Sequence, residues 1–436
     1  MASATRIFLA KNTEFQSRPT LITFWRDWEW DSRLCGAALC AVPISIALCE
    51  ICLALALAVR FARFLRHPVA IRPPRIFWFW LAWAGLEIAV WLGSPNRRAG
   101  IGEVRHLILI AALFAILPAL HRPGRSLMVW KGIFLTATTG SGVLILEFLA
   151  RTIRFRHDLA AGGDPDLYLR TGGLLHHWMV YGAVEIVVFA ALLEFGSAYP
   201  AERRWAGVAL AVQGLAIALS LTRSLWVSAA CVTAIHLLRK PGTLPWRRIL
   251  LTAASGILLL SATPVRHRIT ESFQSDYYSN TERVQMWKVG GRMIRQNVVF
   301  GIGAGQVEAQ YARFLRPGEP LPAYHGHLHN NALQLFAEFG LLVFCAACVF
   351  VAMLVRELAQ ACRWAATRES RFLSRSGLMG LAGFLVMGMM DYTYGHSLAL
   401  IVLAFAAISP VMAKRPAPRQ IASNSSSSIC FCDRSA

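Results

Sequence analysis

The sequence predicts an all-α polytopic membrane protein, and three observations carry that expectation. Apolar residues make up 56% of the 436 and charged ones only 16%, against about 25% charged in a soluble domain. Apolar windows of membrane-crossing length recur from one end of the chain to the other, and the mean hydropathy is +0.47. The arginine-rich connectors fall in alternating gaps between those windows, as the positive-inside rule requires.

Residues 1–33 carry Arg6, Lys11, Glu14, Arg26, Asp27 and Glu29 without an apolar core of signal-peptide length, so they read as an N-terminal extramembrane segment. The windows that follow are 34–59, 76–93, 107–120, 127–149, 173–195, 205–221, 224–238 and 249–264, then 331–355, 376–390 and 397–412. The third and tenth are short and need flanking residues to cross. Arg60, Arg63, Arg66, Arg72 and Arg75 share one connector, Arg239, Lys240, Arg247 and Arg248 a second, and Arg356, Arg363, Arg368, Arg371 and Arg375 a third. All three lie on one side in this order, which makes that side cytoplasmic. The C-terminus is then inside and the N-terminus outside, unless Pro43 breaks the first window into two half-helices and reverses the parity. The organisation is therefore transmembrane helices 1–8 over 34–264, a large outer loop carrying the site over 265–330, C-terminal transmembrane helices over 331–412, and a Pro-, Arg- and Ser-rich disordered cytoplasmic tail over 413–436.

The formal charge of +20 follows those cytoplasmic loops. It implies topology and contact with anionic membrane lipids, not nucleic acid. Ten cysteines are scattered, mostly inside apolar windows. Cys49/Cys52 and Cys345/Cys348 have CxxC spacing, but inside a membrane helix they read as small apolar filler, and no disulfide framework is implied.

Two outer loops exceed mere connectors. Residues 150–172 contain Asp158, Asp164, Asp166 and Arg170. Within 265–330, Val284, Trp287, Gly291 and Ile294 recur at helical steps while Lys288, Arg292 and Arg295 line another face, which predicts an amphipathic helix at the membrane surface. Gly301-Ile302-Gly303-Ala304-Gly305 follows. No strand precedes it, so close backbone packing is a better expectation than nucleotide binding.

Ionisable side chains at membrane depth cost free energy and mark functional sites. His329 stands where the outer loop enters the ninth window, in His325-Gly326-His327-Leu328-His329-Asn330-Asn331. Gln334 and Glu338 follow four apart, so they share a helix face, and Glu338 is deep enough to need a partner. Alternating His325, His327 and His329 would point the same way on an extended strand, and with Glu319 they form an alternative zinc-binding set. Arg223, in Leu221-Thr222-Arg223-Ser224, separates two apolar windows at the outer side, as an anion clamp or a snorkelling turn residue. Arg283 lies four residues before Trp287, as a phosphate ligand or a lipid-facing charge. Arginine grips phosphate in a planar bidentate fork, and histidine takes a proton near neutral pH. A lipid-linked diphosphate sugar and an acceptor hydroxyl would use both.

At these residues the chain resembles the O-antigen ligase and O-antigen polymerase family of bacterial inner-membrane glycosyltransferases, over about 40–410. His329-Asn330, nine residues, then Gly340-Leu341-Leu342 is similar to the family's ligase motif, with Val343 where Gly, Thr or Tyr is usual. Asn331 to Leu335 with Glu338-Phe339-Gly340 resembles the family pattern too. So do Arg283 with Trp287, Asn297 and the Gly301–Gly305 turn, the Leu221–Ser224 turn (the usual order has Ser before Arg), and Gly173 with His176-His177. The resemblance implies a GT-C-like helical fold of about twelve spans with both ends inside, metal-free and cofactor-free inverting transfer, and a site facing the periplasm of the inner membrane. It implies His329 as base, with Arg223 and Arg283 on the undecaprenyl diphosphate of the glycan donor. Asn330, Glu338, His327, His177 and Trp287 would be in support. The acceptor would be lipid A core or another glycan. A protein acceptor, as in O-linked oligosaccharyl transfer, is an alternative. A transporter or flippase of lipid-linked glycans is another, because Glu50, Glu87, Glu147, Glu185, Glu194 and Asp391 lie in or at the ends of spans.

Overall fold

The computed structural model describes residues 28–68, 73–158, 169–239, 263–274 and 277–413. Most of residues 1–33, the 414–436 tail, Asp164, Asp166 and nearly all of the expected span 249–264 fall outside them. The described residues form helices without strands. In chain order these are α1 (Trp30–Ala41), α2 (Ile46–Arg66), α3 (Arg75–Gly93), α4 (Arg97–Ile116), α5 (Arg125–Asp158), α6 (Trp178–Ala198) and α7 (Arg203–Leu219). Then come α8 (Arg223–Leu238), α9 (Thr263–Ser272), α10 (Tyr278–Gln296), α11 (Asn331–Arg363), α12 (Arg368–Gly388) and α13 (Ser397–Ala413). Five stretches are long and apolar enough to cross a membrane: α3, α4 with its 3₁₀ extension to Leu120, most of α5, α6 and α11. The chain is an all-α, multi-pass membrane protein.

The expectation of one crossing over 34–59 is corrected. Pro43 cannot continue a helix, and the chain turns back there, so α1 packs antiparallel along α2. Asp31 at the start of α1 meets Arg60 (3.1 Å) and Arg63 (3.2 Å) near the end of α2. The start of α1 and the arginine-bearing end of α2 therefore lie at the same end of the bundle. The short third window gains its length from polar residues: α4 begins at Arg97, ten residues before the apolar run, and Asn96 caps it by accepting from the Ala99 amide (3.3 Å).

The core gathers around α6 and α12. Glycines at 377, 380 and 383 lie on the packed side of α12. A Cβ there would strike the Ala406 carbonyl, Val187, or Ile186 and Val232, respectively. Small residues thus let α13, α6 and α8 approach closely.

One device shapes the end of the bundle where α11 begins. Gly340 has φ +77°, so α11 breaks inside its apolar run. A side chain there would meet the Val299 carbonyl. The break frees backbone groups, and the glycine-rich turn takes them up. Ile302 donates its amide to the Ala337 carbonyl (2.9 Å), Gly303 to Glu338 (3.0 Å), and Leu341 to Val298 (2.8 Å). Gly301, Gly303 and Gly305 all have positive φ. Close backbone packing, the plainer reading of the Gly301–Gly305 run, is what the turn does.

Candidate active site

Asp391 organises the site. It lies in the short connector from α12 to α13 and is 1% exposed. Its Oδ1 is 3.1 Å from both Arg283 Nη2 and His329 Nδ1, and its Oδ2 accepts from the Ser224 hydroxyl. Arg283 also donates from Nη1 to the Met390 carbonyl (2.8 Å). One buried carboxylate thus joins the segment before α11, α8 and α10. Burial pushes the Asp391 carboxyl up, but the His329 hydrogen bond, the Arg283 charge and the Ser224 hydroxyl outweigh it and hold the group below its ordinary range. An ionised carboxylate only accepts, so the His329 nitrogen facing it carries the proton, and Nε2 presents its lone pair.

The residues after His329 tie the same connector down. Asn330 caps α11, accepting from Leu333 (3.0 Å), and donates to the Met389 carbonyl (2.9 Å). Asn331 accepts from the amides of Thr393 (2.9 Å) and Tyr394 (3.2 Å) and donates to the Thr393 hydroxyl (2.8 Å). From the other side, the Tyr392 hydroxyl bonds Glu103 and that of Tyr394 bonds His106, both on α4.

Arg223 opens α8. It donates to Asn280 and to the Ser279 hydroxyl (3.1 Å), and its guanidinium lies 5.9 Å from the Tyr277 ring centre. Asn280 is one turn before Arg283 on α10, so the two arginines act on one helix face. Arg223 does not itself bond Asp391. Its neighbour Ser224 does.

His327 is the buried companion of His329. Their ring centres are 4.2 Å apart, and the His329 amide donates to His327 Nδ1 (3.4 Å). Burial, then the His329 charge, lowers the His327 imidazole to about 3, so it stays neutral at physiological pH. His177 caps α6, accepting from the Met179 amide (3.2 Å), and lies 6.3 Å from His396. Burial lowers His177 against the pull of Asp391. Glu338 is not beside His329. It sits at the α11 kink, accepting from Gln334 (3.0 Å), which in turn accepts from the Leu328 amide (2.8 Å). Trp287 stands exposed one turn along from Arg283.

The zinc alternative finds its residues engaged elsewhere. His325 turns to the Pro322 carbonyl (3.0 Å) and Tyr311, and Glu319 is gripped by both Nη atoms of Arg292. Among the described residues no group of three His, Cys, Asp or Glu side chains is arranged around a common point.

Among the described residues three non-glycines have positive φ: His176 (60°), Leu221 (52°) and His329 (48°). Such backbone is strained by about 1–3 kcal/mol and persists where surroundings over-determine it, most often at functional sites. Each belongs to a segment that touches Asp391 or lies beside it. Sequence reasoning missed Asp391 as the hub, placing it among membrane carboxylates suited to transport. Its signal was present: an acid at a span end, which needs a cation from elsewhere in the chain.

Fold and site define a multi-pass helical membrane protein with a histidine–arginine–carboxylate site at one membrane face. The family model described as O-antigen ligase matches residues 206–348. That stretch, from α7 into α11, is similar to the O-antigen ligase family and includes Arg223, Arg283 and His329. The domain supports glycan transfer of the O-antigen ligase type. No curated protein matches the chain. The match ends before Asp391.

Proposed function

We propose that the protein transfers a glycan from an undecaprenyl diphosphate carrier to a sugar hydroxyl at the periplasmic face of the bacterial inner membrane. The observation that carries this reading is the shared contact of His329 and Arg283 with Asp391, with both residues inside the O-antigen ligase domain. His329 Nε2 takes the proton from the acceptor hydroxyl. That oxygen forms the new bond to the anomeric carbon from the face opposite the leaving group. The carbon–oxygen bond to the diphosphate breaks, and its electron pair leaves with the phosphate. Asp391 holds the imidazole in the required tautomer and stabilises the imidazolium as it forms, the role of the acid in a hydrolase triad. Arg283 and Arg223 place their guanidinium charge at the diphosphate, where charge grows in the transition state. His327, neutral and buried, fixes the His329 backbone.

The test is reconstitution in lipid nanodiscs with an undecaprenyl-diphosphate-linked glycan and a lipid A core acceptor. The expected outcome is an acceptor heavier by the transferred glycan, with undecaprenyl diphosphate released, in a reaction that needs no nucleotide and no divalent cation. A translocated but unreacted donor would point to the flippase reading instead.

A further inference from the structure

On the transfer reading above, we propose that Tyr324 is the platform on which the acceptor's sugar ring stacks while its hydroxyl meets His329. Tyr324 is 54% exposed, whereas His327 is buried and the His329 side chain is 16% exposed. Its ring centre lies 5.0 Å from that of His327 and 6.3 Å from that of His329, nearly perpendicular to both. An aromatic ring more than half exposed thus stands beside the base. Part of the ring lies over Gly326, where a Cβ would meet the tyrosine ring and hydroxyl. Glycine there lets the ring settle against the backbone.

The loop that bears the ring is held rather than free. Arg292 grips Glu319 at two points (3.1 and 2.5 Å), the Arg316 amide donates to the same carboxylate (2.9 Å), and Gln285 donates to the Pro320 carbonyl. His325 closes the turn on Pro322. These contacts tie residues 316–325 to α10, which carries Arg283, so Tyr324 keeps its place relative to both the clamp and the base. A tyrosine has a large rigid apolar face and few rotamers to lose. A pyranose ring offers a matching patch of C–H bonds on one face and hydroxyls around its edge. Among the described residues the Tyr324 hydroxyl makes no hydrogen bond, so the geometry assigns the work to the face.

Two measurements on full-length protein in nanodiscs test this. The first is binding of a hexose-terminated oligosaccharide from the lipopolysaccharide core, freed of its lipid, to the inactive His329→Ala protein by titration calorimetry. With Tyr324→Ala or Tyr324→Leu added, affinity should fall about tenfold. Tyr324→Phe and Tyr324→Trp should stay within about threefold, since an aromatic face persists. Tyr324→Leu binding as well as Tyr324→Phe would overturn the stacking role. So would unchanged affinity in Tyr324→Ala. The second is steady-state transfer, in which Tyr324→Ala should raise the acceptor KM with kcat and donor KM little changed. A fall in kcat alone would make Tyr324 a support for the histidines, not a sugar platform. If wild-type protein gives no transfer product, the enzymatic reading fails, but the binding measurement still decides on Tyr324.

Discussion

Asp31 and Asp391 are both buried acids that receive two basic side chains, at opposite ends of the bundle. Asp31 takes Arg60 and Arg63, with its neighbours Ser32 and Arg125 bonded to the Ala119 carbonyl. It lies in the first turn of a regular helix, and its partners keep their charge at any physiological pH. Asp391 takes Arg283 and His329 in a connector between helices, and segments with left-handed His329, Leu221 and His176 surround it. One of its partners is an imidazole rather than a guanidinium. A buried acid between two basic side chains thus fastens helices at both ends of the bundle. A histidine among the partners, together with backbone strain, sets the candidate site apart from a fastening.

The sharpest way to break that comparison is to neutralise each acid in turn. His329→Ala should lower the transfer rate by about 10²–10⁴, the usual loss for a general base. Asp391→Asn replaces an acceptor-only carboxylate with an amide that can also donate, so the His329 tautomer is no longer fixed, and it should approach the same loss in kcat while the protein stays inserted. Asp31→Asn should leave kcat near wild type and lower the melting temperature instead. Its arginines are more than a third exposed, so the stability loss is discounted to about 1–2 kcal/mol. Equal kinetic losses for the two aspartate variants would erase the distinction.

The two regions also differ in how far the sequence discloses them. Apolar windows locate α3, α6, α8, α11 and α13 because burial and lipid impose the same period that the chain spells out. They underestimate α4 and α12, whose first turns are charged and rest on caps and tertiary contacts. Pro43 announced a break but not its consequence, since the pairing of Asp31 with Arg60 depends on how the hairpin folds. His329, Arg223 and Arg283 were legible as ionisable residues at an apolar boundary. Asp391 was visible as a membrane acid, yet its partner lies 62 residues away, and one chain cannot show which cation it meets. Gly340 carried a motif whose cause, the bonding of Ile302 and Gly303 to a broken helix, is equally non-local.

The next test concerns the arginines. Arg283 bridges Asp391 and Met390 with two of its five N–H groups, and the fork leaves the others for phosphate. Arg283→Lys keeps the charge beside Asp391 but loses the planar fork. It should fall well below wild type in kcat yet stay above Arg283→Ala, and Arg223→Lys should follow the same order against Arg223→Ala. Lysine variants at wild-type rates would reduce both contacts to charge alone, and normal polymer from both alanine variants would remove the clamp. Arg60→Lys is the control from the other region and should leave turnover unchanged.

The smallest effect expected is a change in the slope of stability with pH at His327. The imidazole is lowered to about 3 in the folded protein, first by burial and then by His329, against about 6.5 when unfolded. Between those values the unfolded chain binds the extra proton, so folding is progressively weakened as pH falls from about 6.5 toward 3. His327→Gln has no such proton to bind. Its melting temperature should decline less steeply than that of wild type between pH 6.5 and 4.5, even if it starts lower at pH 7.5 through lost contacts with His329 and Tyr392. Asp391 does not confuse the measurement, because its folded value is held below the ordinary carboxylate range, so the stability it adds is lost only at still lower pH. Parallel pH curves for wild type and His327→Gln would mean that His327 is charged, or open to water, in the folded state. The neutral partner assigned to His329 would then be wrong.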